Sequence, residues 1–429
     1  MKRTVLSADA VNEAYAAARR MYAELGVDTD KALATAGRIP VSLHCWQGDD
    51  VRGLETRSGS ETSGGIMATG NYPGVARTGD ELRADMLQAA RLIPGAKRAN
   101  IHAFYAETGR HRVDRDKLKP QHFSRWMAWS KKHNIPLDFN PTFFAHPLAS
   151  SGFTLSSGDE KTRQFWIRHG IASRVIADAM ARNQGGPCVC NFWIPDGAKD
   201  IPADRWSPRA RLIDSYDQIF ARSKNVDPKR CIDAVEAKLF GIGSEEYVVG
   251  SHEFYLGYAL TRPCIPCFDM GHFHPTEGIH DKLSSVLQFK KNILVHVSRP
   301  IRWDSDHIVI FNEDLRAVFL ELKRGNALER VHLALDFFDA SVNRIAAWVI
   351  GARATQEALL FALLDPTEEL QALERRGDGA GKLALMEHMK TMPFDAVWNK
   401  YCLAQNVPVG LAWLDAVRDY ETRVLSKRS

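Results

Sequence analysis

Four apolar, strand-like runs in the second half of the chain end in residues that ligate metals or move protons. The first, Cys231–Phe240, carries Glu236 and Lys238 two positions apart, so on a strand the carboxylate and the ammonium share a face. A buried salt bridge is the alternative for that pair. The second, Cys264–Met270, leads into Asp269-Met270-Gly271-His272. A three-residue spacing on a strand sets Asp269 and His272 on opposite faces, and Gly271 offers the bend that lets them converge past the strand end. A carboxylate with an imidazole suits Mn2+, Zn2+ or Co2+. The third run, Asn292–Ser298, places His296 among Ile293, Leu294, Val295 and Val297, and the next turn holds Asp304-Ser305-Asp306. A histidine alone in an apolar strand is more often a core residue than a ligand. Carboxylates at i and i+2 can grip one cation from one side, although many such pairs are solvated turns. The fourth run, Val331–Phe337, reaches Asp336 after Leu333-Ala334-Leu335, a carboxylate that needs a partner or a metal if it is buried.

No one of these motifs is decisive, but together they place candidate ligands at the ends of four consecutive runs. Glu236, Asp269, His272, His296, Asp304, Asp306 and Asp336 are too many ligands for one ion. They divide into two octahedral or near-octahedral sites that share Asp269.

The elements that must position them follow a rhythm. Eight short apolar runs occur, at Val41–Cys45, Arg98–Phe104, Pro136–Phe144 and Cys188–Ile194, followed by the four above. Amphipathic stretches lie between them at Thr78–Leu92, Ser124–Lys132, Thr162–Arg182, Ser207–Ile219, Ser244–Tyr258 and Asn312–Lys323. Near-continuous apolar strands alternating with helices predict a parallel sheet covered by helices. Eight such units predict an α/β chain closed into a (β/α)8 barrel, the TIM-barrel architecture, whose active sites form at the C-terminal ends of the strands. Residues 1–40 read as a helical lead-in, 41–340 as the barrel and 341–429 as an appended helical segment suited to packing on the barrel or on another subunit. The Gly- and Ser-rich stretch Ser58–Gly74 follows the first strand and reads either as a mobile lid or as a long surface loop.

Composition excludes several classes. Net charge is +4, and no basic stripe interleaves with aromatics, so nothing calls for a nucleic-acid partner. No apolar run approaches the length of a membrane span, and no secretory apolar segment follows Met1, so the expected location is cytoplasmic. The seven cysteines are odd in number and scattered, as in a reduced protein, and Cys264-Ile265-Pro266-Cys267 has no second pair to complete a zinc site.

Several segments together resemble L-rhamnose isomerases. They are Val235-Glu236-Ala237-Lys238-Leu239-Phe240-Gly241-Ile242-Gly243-Ser244-Glu245, Asp269-Met270-Gly271-His272-Phe273-His274-Pro275, Arg302-Trp303-Asp304-Ser305-Asp306-His307 and Ser42-Leu43-His44-Cys45-Trp46-Gln47-Gly48-Asp49-Asp50. Gly64-Gly65-Ile66 and Gly70-Asn71-Tyr72-Pro73-Gly74 follow in the same order as in that family. The resemblance runs over nearly the whole chain. It implies a homotetramer acting on a sugar with two divalent cations per subunit, Mn2+ foremost and Zn2+ or Co2+ as alternatives. By position, Glu236, Asp269, His296 and Asp336 would hold a structural metal. Asp269, His272, Asp304 and Asp306 would hold a catalytic one. Lys238 would hydrogen-bond a sugar oxygen near C1, His102 would face the ring or O5 end, and Trp193 would lie against the sugar carbons. His272 counts toward substrate binding too, and Lys238, Asp306 and Asp336 form the expected catalytic set. For His102 and Trp193 the competing reading is barrel packing.

Aldose–ketose isomerisation moves hydrogen between C1 and C2. The carboxylates here look committed to metals, which leaves no obvious free base. That favours a hydride shift from C2 to C1, with Lys238 steadying charge on O1. Two competing readings are a metal-dependent hydrolase or phosphodiesterase on the same barrel, and a sugar-binding or assembly protein that retains structural metals. The hydrolase reading is weakened by the absence of a His-x-His motif in the first strand, which reads His44-Cys45-Trp46.

Overall fold

The computed structural model describes residues 6–55, 68–109, 111–274, 276–301 and 307–428. Two helices open the chain, α1 (Ala8–Glu24), capped by the Ser7 hydroxyl, and α2 (Thr29–Arg38), capped by Asp28. The sequence reads as one helical stretch here, but Gly26 takes a left-handed φ of 73° and breaks it in two.

The elements then run β1 (Val41–His44), α3 (Gly79–Ala90), β2 (Lys97–His102), α4 (Ser124–His133), β3 (Leu137–Asn140), α5 (Glu160–Gln184) and β4 (Cys188–Trp193). Next come β5 (Gly197–Ala198), α6 (Trp206–Arg222), β6 (Cys231–Glu236), β7 (Tyr247–Val248), α7 (His252–Thr261), β8 (Ile265–Asp269), α8 (His280–Val286), β9 (Ile293–Val297), α9 (Glu313–Arg324) and β10 (Val331–Leu335). The C-terminal part holds α10 (Arg344–Leu363), α11 (Thr367–Arg375), α12 (Gly379–Met389), α13 (Phe394–Ala404) and α14 (Trp413–Arg423).

Eight of the strands close a barrel in the order β1-β10-β9-β8-β6-β4-β3-β2, each pairing parallel to its neighbour. Closure is set by Val41, which lies opposite Lys97 on one side and Leu333 on the other. The small pair β5–β7 is antiparallel and stands apart from the barrel. It corrects the reading of Ser244–Tyr258 as one amphipathic stretch: Tyr247 and Val248 pair as strand, and the helix begins only at His252.

Alternation along each strand sorts the side chains. Val41, Leu43, Ile101, Phe139, Phe192, Val235, Phe268, Val295 and Leu335 join the large cluster shared with the surrounding helices. Val189, Ala234, Cys267, Leu294 and Ala334 form a separate, small cluster inside the barrel. On the β1–β3 side the inner face is polar: Ser42 Oγ and Arg98 Nε both donate to Asp138 Oδ2 at 2.8 Å, and Arg98 Nη2 donates to Asp138 Oδ1 at 2.8 Å.

The helix α10 is buried nearly all round, against α2, α3, α9 and β1. Its Trp348 indole donates to the backbone oxygen of His44 at 2.8 Å. No single helix among the described residues is long and apolar enough to cross a membrane. The C-terminus returns to the start of the barrel: Arg428 donates to the Gly74 carbonyl at 3.1 Å and to Asp85, and Tyr420 donates to Asp85 at 2.7 Å. Tyr72 and Asn343 both donate to Glu421. Gly70, with φ of 119°, packs so close to Ala340 that a Cβ would lie 2.3 Å from its carbonyl carbon.

Candidate active site

Glu236, Asp269, His296 and Asp336 converge from β6, β8, β9 and the residue after β10, four neighbours in the barrel wall. Each stands at or near a strand's C-terminal end, where the barrel geometry aims side chains into one mouth. His296 Nδ1 lies 3.1 Å from Glu236 Oε1, 3.6 Å from Asp269 Oδ2 and 3.0 Å from Asp336 Oδ2. One ligand atom from each of the four residues lies within 4.8 Å of all the others, a spacing that brackets a cation with bonds of roughly 2.0–2.2 Å. Glu236, Asp269 and His296 are fully buried, and Asp336 is mostly covered.

Buried charge tests whether a metal fits. Three carboxylates around one imidazole make a strongly negative pocket, which is unfavourable without a compensating cation. Asp269 Oδ2 is buried without a hydrogen bond, while Oδ1 accepts from Ser298 Oγ at 2.7 Å and from the Gly271 amide at 2.6 Å. One oxygen is fixed and the other left open, as a ligand requires. Burial pushes Asp336 up to about 6, with the charges of Glu236 and Asp269 adding and His296 opposing. His296 sits well above its ordinary value: burial works against this, and Cys267, Glu236, Asp269 and Asp336 outweigh it. The pocket thus attracts positive charge, and its donor set of oxygen and nitrogen suits a divalent cation.

The other expected residues surround this cluster. His272 follows β8 through a turn in which its amide donates to the Asp269 carbonyl at 3.2 Å, and its Nδ1 lies 3.5 Å from Glu236 Oε1. Asp269 and His272 therefore do meet on one side. Lys238 lies just past the end of β6, buried, with Nζ 5.3 Å from the centre of the Trp193 ring. His102 ends β2, packed edge-on against Trp46 at 4.7 Å and Phe144 at 5.5 Å. Burial, with Arg115 nearby, lowers its pKa to about 3, so it is neutral at neutral pH and handles hydroxyl groups rather than anions. Asp304 and Asp306 lie outside the described residues, as does most of the stretch 58–74.

Several residues at the site were not found from the sequence. Asn191 donates to Glu236 Oε2 at 2.5 Å and so fixes the carboxylate's other oxygen. Trp46 donates to Asp336 Oδ1 at 3.2 Å. Cys267, read only as half of a Cys-x-x-Cys spacing, faces inward, with its sulfur within 4.8 Å of ligand atoms of Glu236 and His296. Thr142 and Asn140 contact the two ring nitrogens of His102 at 3.2 and 3.4 Å. The inward period-two positions of β4, Val189, Asn191 and Trp193, were the available signal for Asn191.

A closed parallel barrel with a buried acid–imidazole cluster at the C-terminal rim defines the chain as a barrel enzyme of the metal-using kind. The chain matches the family model described as L-rhamnose isomerase (RhaA) over residues 9–428. It is 54% identical over 418 residues to an L-rhamnose isomerase of Mannheimia succiniciproducens, covering 97% of this chain and 99% of that one. It is 53% identical over 419 residues to L-rhamnose isomerases of Salmonella gallinarum and Rhodopirellula baltica, covering 98% of this chain and 99% and 97% of theirs. The chain belongs to the L-rhamnose isomerase family and is an aldose–ketose isomerase.

Proposed function

We propose that this protein interconverts L-rhamnose and L-rhamnulose by a hydride shift between C2 and C1, using two divalent cations. The observation that supports it most is the convergence of four ligand atoms within 4.8 Å at the ends of adjacent barrel strands. Glu236, Asp269, His296 and Asp336 would hold one cation. Asp269 and His272, with Asp304 and Asp306, would hold the other. Mn2+ is the first candidate, with Zn2+ or Co2+ as alternatives. Bound there, such cations would supply Lewis acidity for the isomerisation.

The chain's own groups complete the site. Lys238, buried in the mouth, donates to the oxygen on C1 as negative charge grows there. Trp193 offers an apolar face to the sugar carbons, and neutral His102 exchanges hydrogen bonds with the ring or O5 end. Buried carboxylates engaged as ligands leave no free base beside C2, which is why hydride transfer is preferred to an enediol. Other aldoses of similar shape are expected substrates as well. We further infer a cytoplasmic homotetramer, and a chain divided near residues 40 and 340 into lead-in, barrel and helical extension.

The test is L-rhamnose tritiated at C2, run to equilibrium with the Mn2+-loaded enzyme. Label retained in the ketose supports the shift, and washout into water overturns it. Activity that survives complete chelation would overturn the metal assignment.

A further inference from the structure

The N-terminal end of the barrel carries a feature that the isomerase chemistry does not use. A groove of about 460 Å3 runs between α2, α3, β2 and the turn after α4. Arg38, Arg91, Lys97, Arg98 and His133 all line it, and no carboxylate does. Leu87, Pro40 and Pro136 give it an apolar wall, beside Asn134. A second cavity of about 340 Å3 opens from the same end and shares Arg38 and Arg98 with the groove.

The cations are not balanced where they stand. Arg98 is neutralised by its two-pronged pairing with Asp138. Arg38 and Arg91 are exposed and meet no carboxylate within ion-pair distance among the described residues. Lys97 Nζ donates to the carbonyls of Ile93 and Gly95 at 2.6 and 2.8 Å, which solvates the ammonium without cancelling its charge and leaves its third hydrogen available. Burial pushes Lys97 down to about 8, as a cation without an anion would show. His133 is lowered too, first by burial and then by Lys132 and Arg91. Three cationic side chains that pair with no carboxylate among the described residues line a concavity of small-ligand size. Such a site favours a compact dianion, because a guanidinium offers paired donors that fit phosphate oxygens and an ammonium adds a point charge. The apolar wall gives the carbon skeleton of an ester a place to lie.

We propose that this groove binds a phosphate-bearing small molecule through Arg38, Arg91 and Lys97, at the opposite end of the barrel from the sugar site. The test is calorimetric titration of the metal-loaded enzyme with inorganic phosphate and, separately, glucose 6-phosphate, at one fixed ionic strength. Saturable binding of either is expected. The double variant Arg38→Gln/Arg91→Gln should weaken it about ten-fold or more while isomerase turnover stays unchanged. Both arginines are exposed, so the variant should fold, and an unchanged melting temperature checks that. Equal affinity for the two probes assigns the groove to free phosphate, and tighter binding of glucose 6-phosphate assigns the apolar wall to the ester. Non-saturable titration overturns the proposal. So does undiminished affinity in the double variant, which places the anion at the metal centre instead. Preference for an oligonucleotide over both probes overturns the small-ligand reading.

Discussion

Two buried aspartates sit at opposite ends of the same barrel and behave differently. Asp138, toward the N-terminal end, accepts from Arg98 twice, from Ser42 Oγ and from the Val189 amide. Its valences are filled by the fold. Asp269, at the C-terminal rim, has one oxygen held by Ser298 and Gly271 and the other buried without a hydrogen bond. Both are held below the ordinary carboxylate value against burial: Asp138 by Arg98 chiefly, Asp269 by His272 and His296. The contrast teaches that burial alone does not mark a functional carboxylate. What marks it is an open lone pair, kept open by a neighbour that fixes the other oxygen.

The sharpest way to break the comparison is to neutralise each aspartate in turn. On the proposed two-cation site, Asp269→Asn should lower kcat/KM for L-rhamnose by more than about 10^3-fold, because the residue proposed to serve both cations would be lost. Asp138→Asn should leave kcat and Mn2+ affinity nearly intact but destabilise the fold by about 3–5 kcal/mol in urea, because Arg98 is then buried unpaired. A reversal of these two outcomes would sink the distinction. Second, chelation should abolish turnover, and restoring Mn2+ should recover it and raise the melting temperature as site occupancy rises. Third, Asn191→Leu should weaken Mn2+ binding about 10–100-fold by releasing Glu236, and equilibrium dialysis would show it.

The smallest expected effect concerns pH. Asp138 has a depressed pKa in the fold, so its contribution to stability is complete above the unfolded value of about 3.9 and is lost as pH falls through the folded one. Melting temperature between about pH 5 and 2 should therefore fall less steeply for Asp138→Asn than for the parent. Parallel slopes would show that Arg98 does not set the carboxylate's charge.

The barrel was legible because its strands are covered on both faces and read as apolar runs, each flanked by helix-period sequence. All eight runs of the sequence reading became barrel strands, somewhat shorter than read. The ligand cluster was legible for the complementary reason: a charged group at the end of an apolar run demands an explanation. Asn191 and Trp46 escaped because amides and indoles are not conspicuous in such runs, and their partners lie 45 and 290 residues away. The helix break at Gly26, the pairing of Tyr247–Val248 and the short helix α8 were missed because short elements carry little periodic signal.

The docking of residues 421–428 on Tyr72 and Gly74 has a consequence for cooperativity. Arg428 reaches the Gly74 carbonyl and Glu421 receives both Tyr72 and Asn343, so the bonds that hold residues 72–74 come from partners 349 and 354 positions further along the chain. Until those distant partners dock, residues 72–74 lack these bonds however completely the strands have closed. A chain that lost residues 421–428 would thus keep Glu236, Asp269, His296 and Asp336 in the barrel wall and leave residues 72–74 without these bonds.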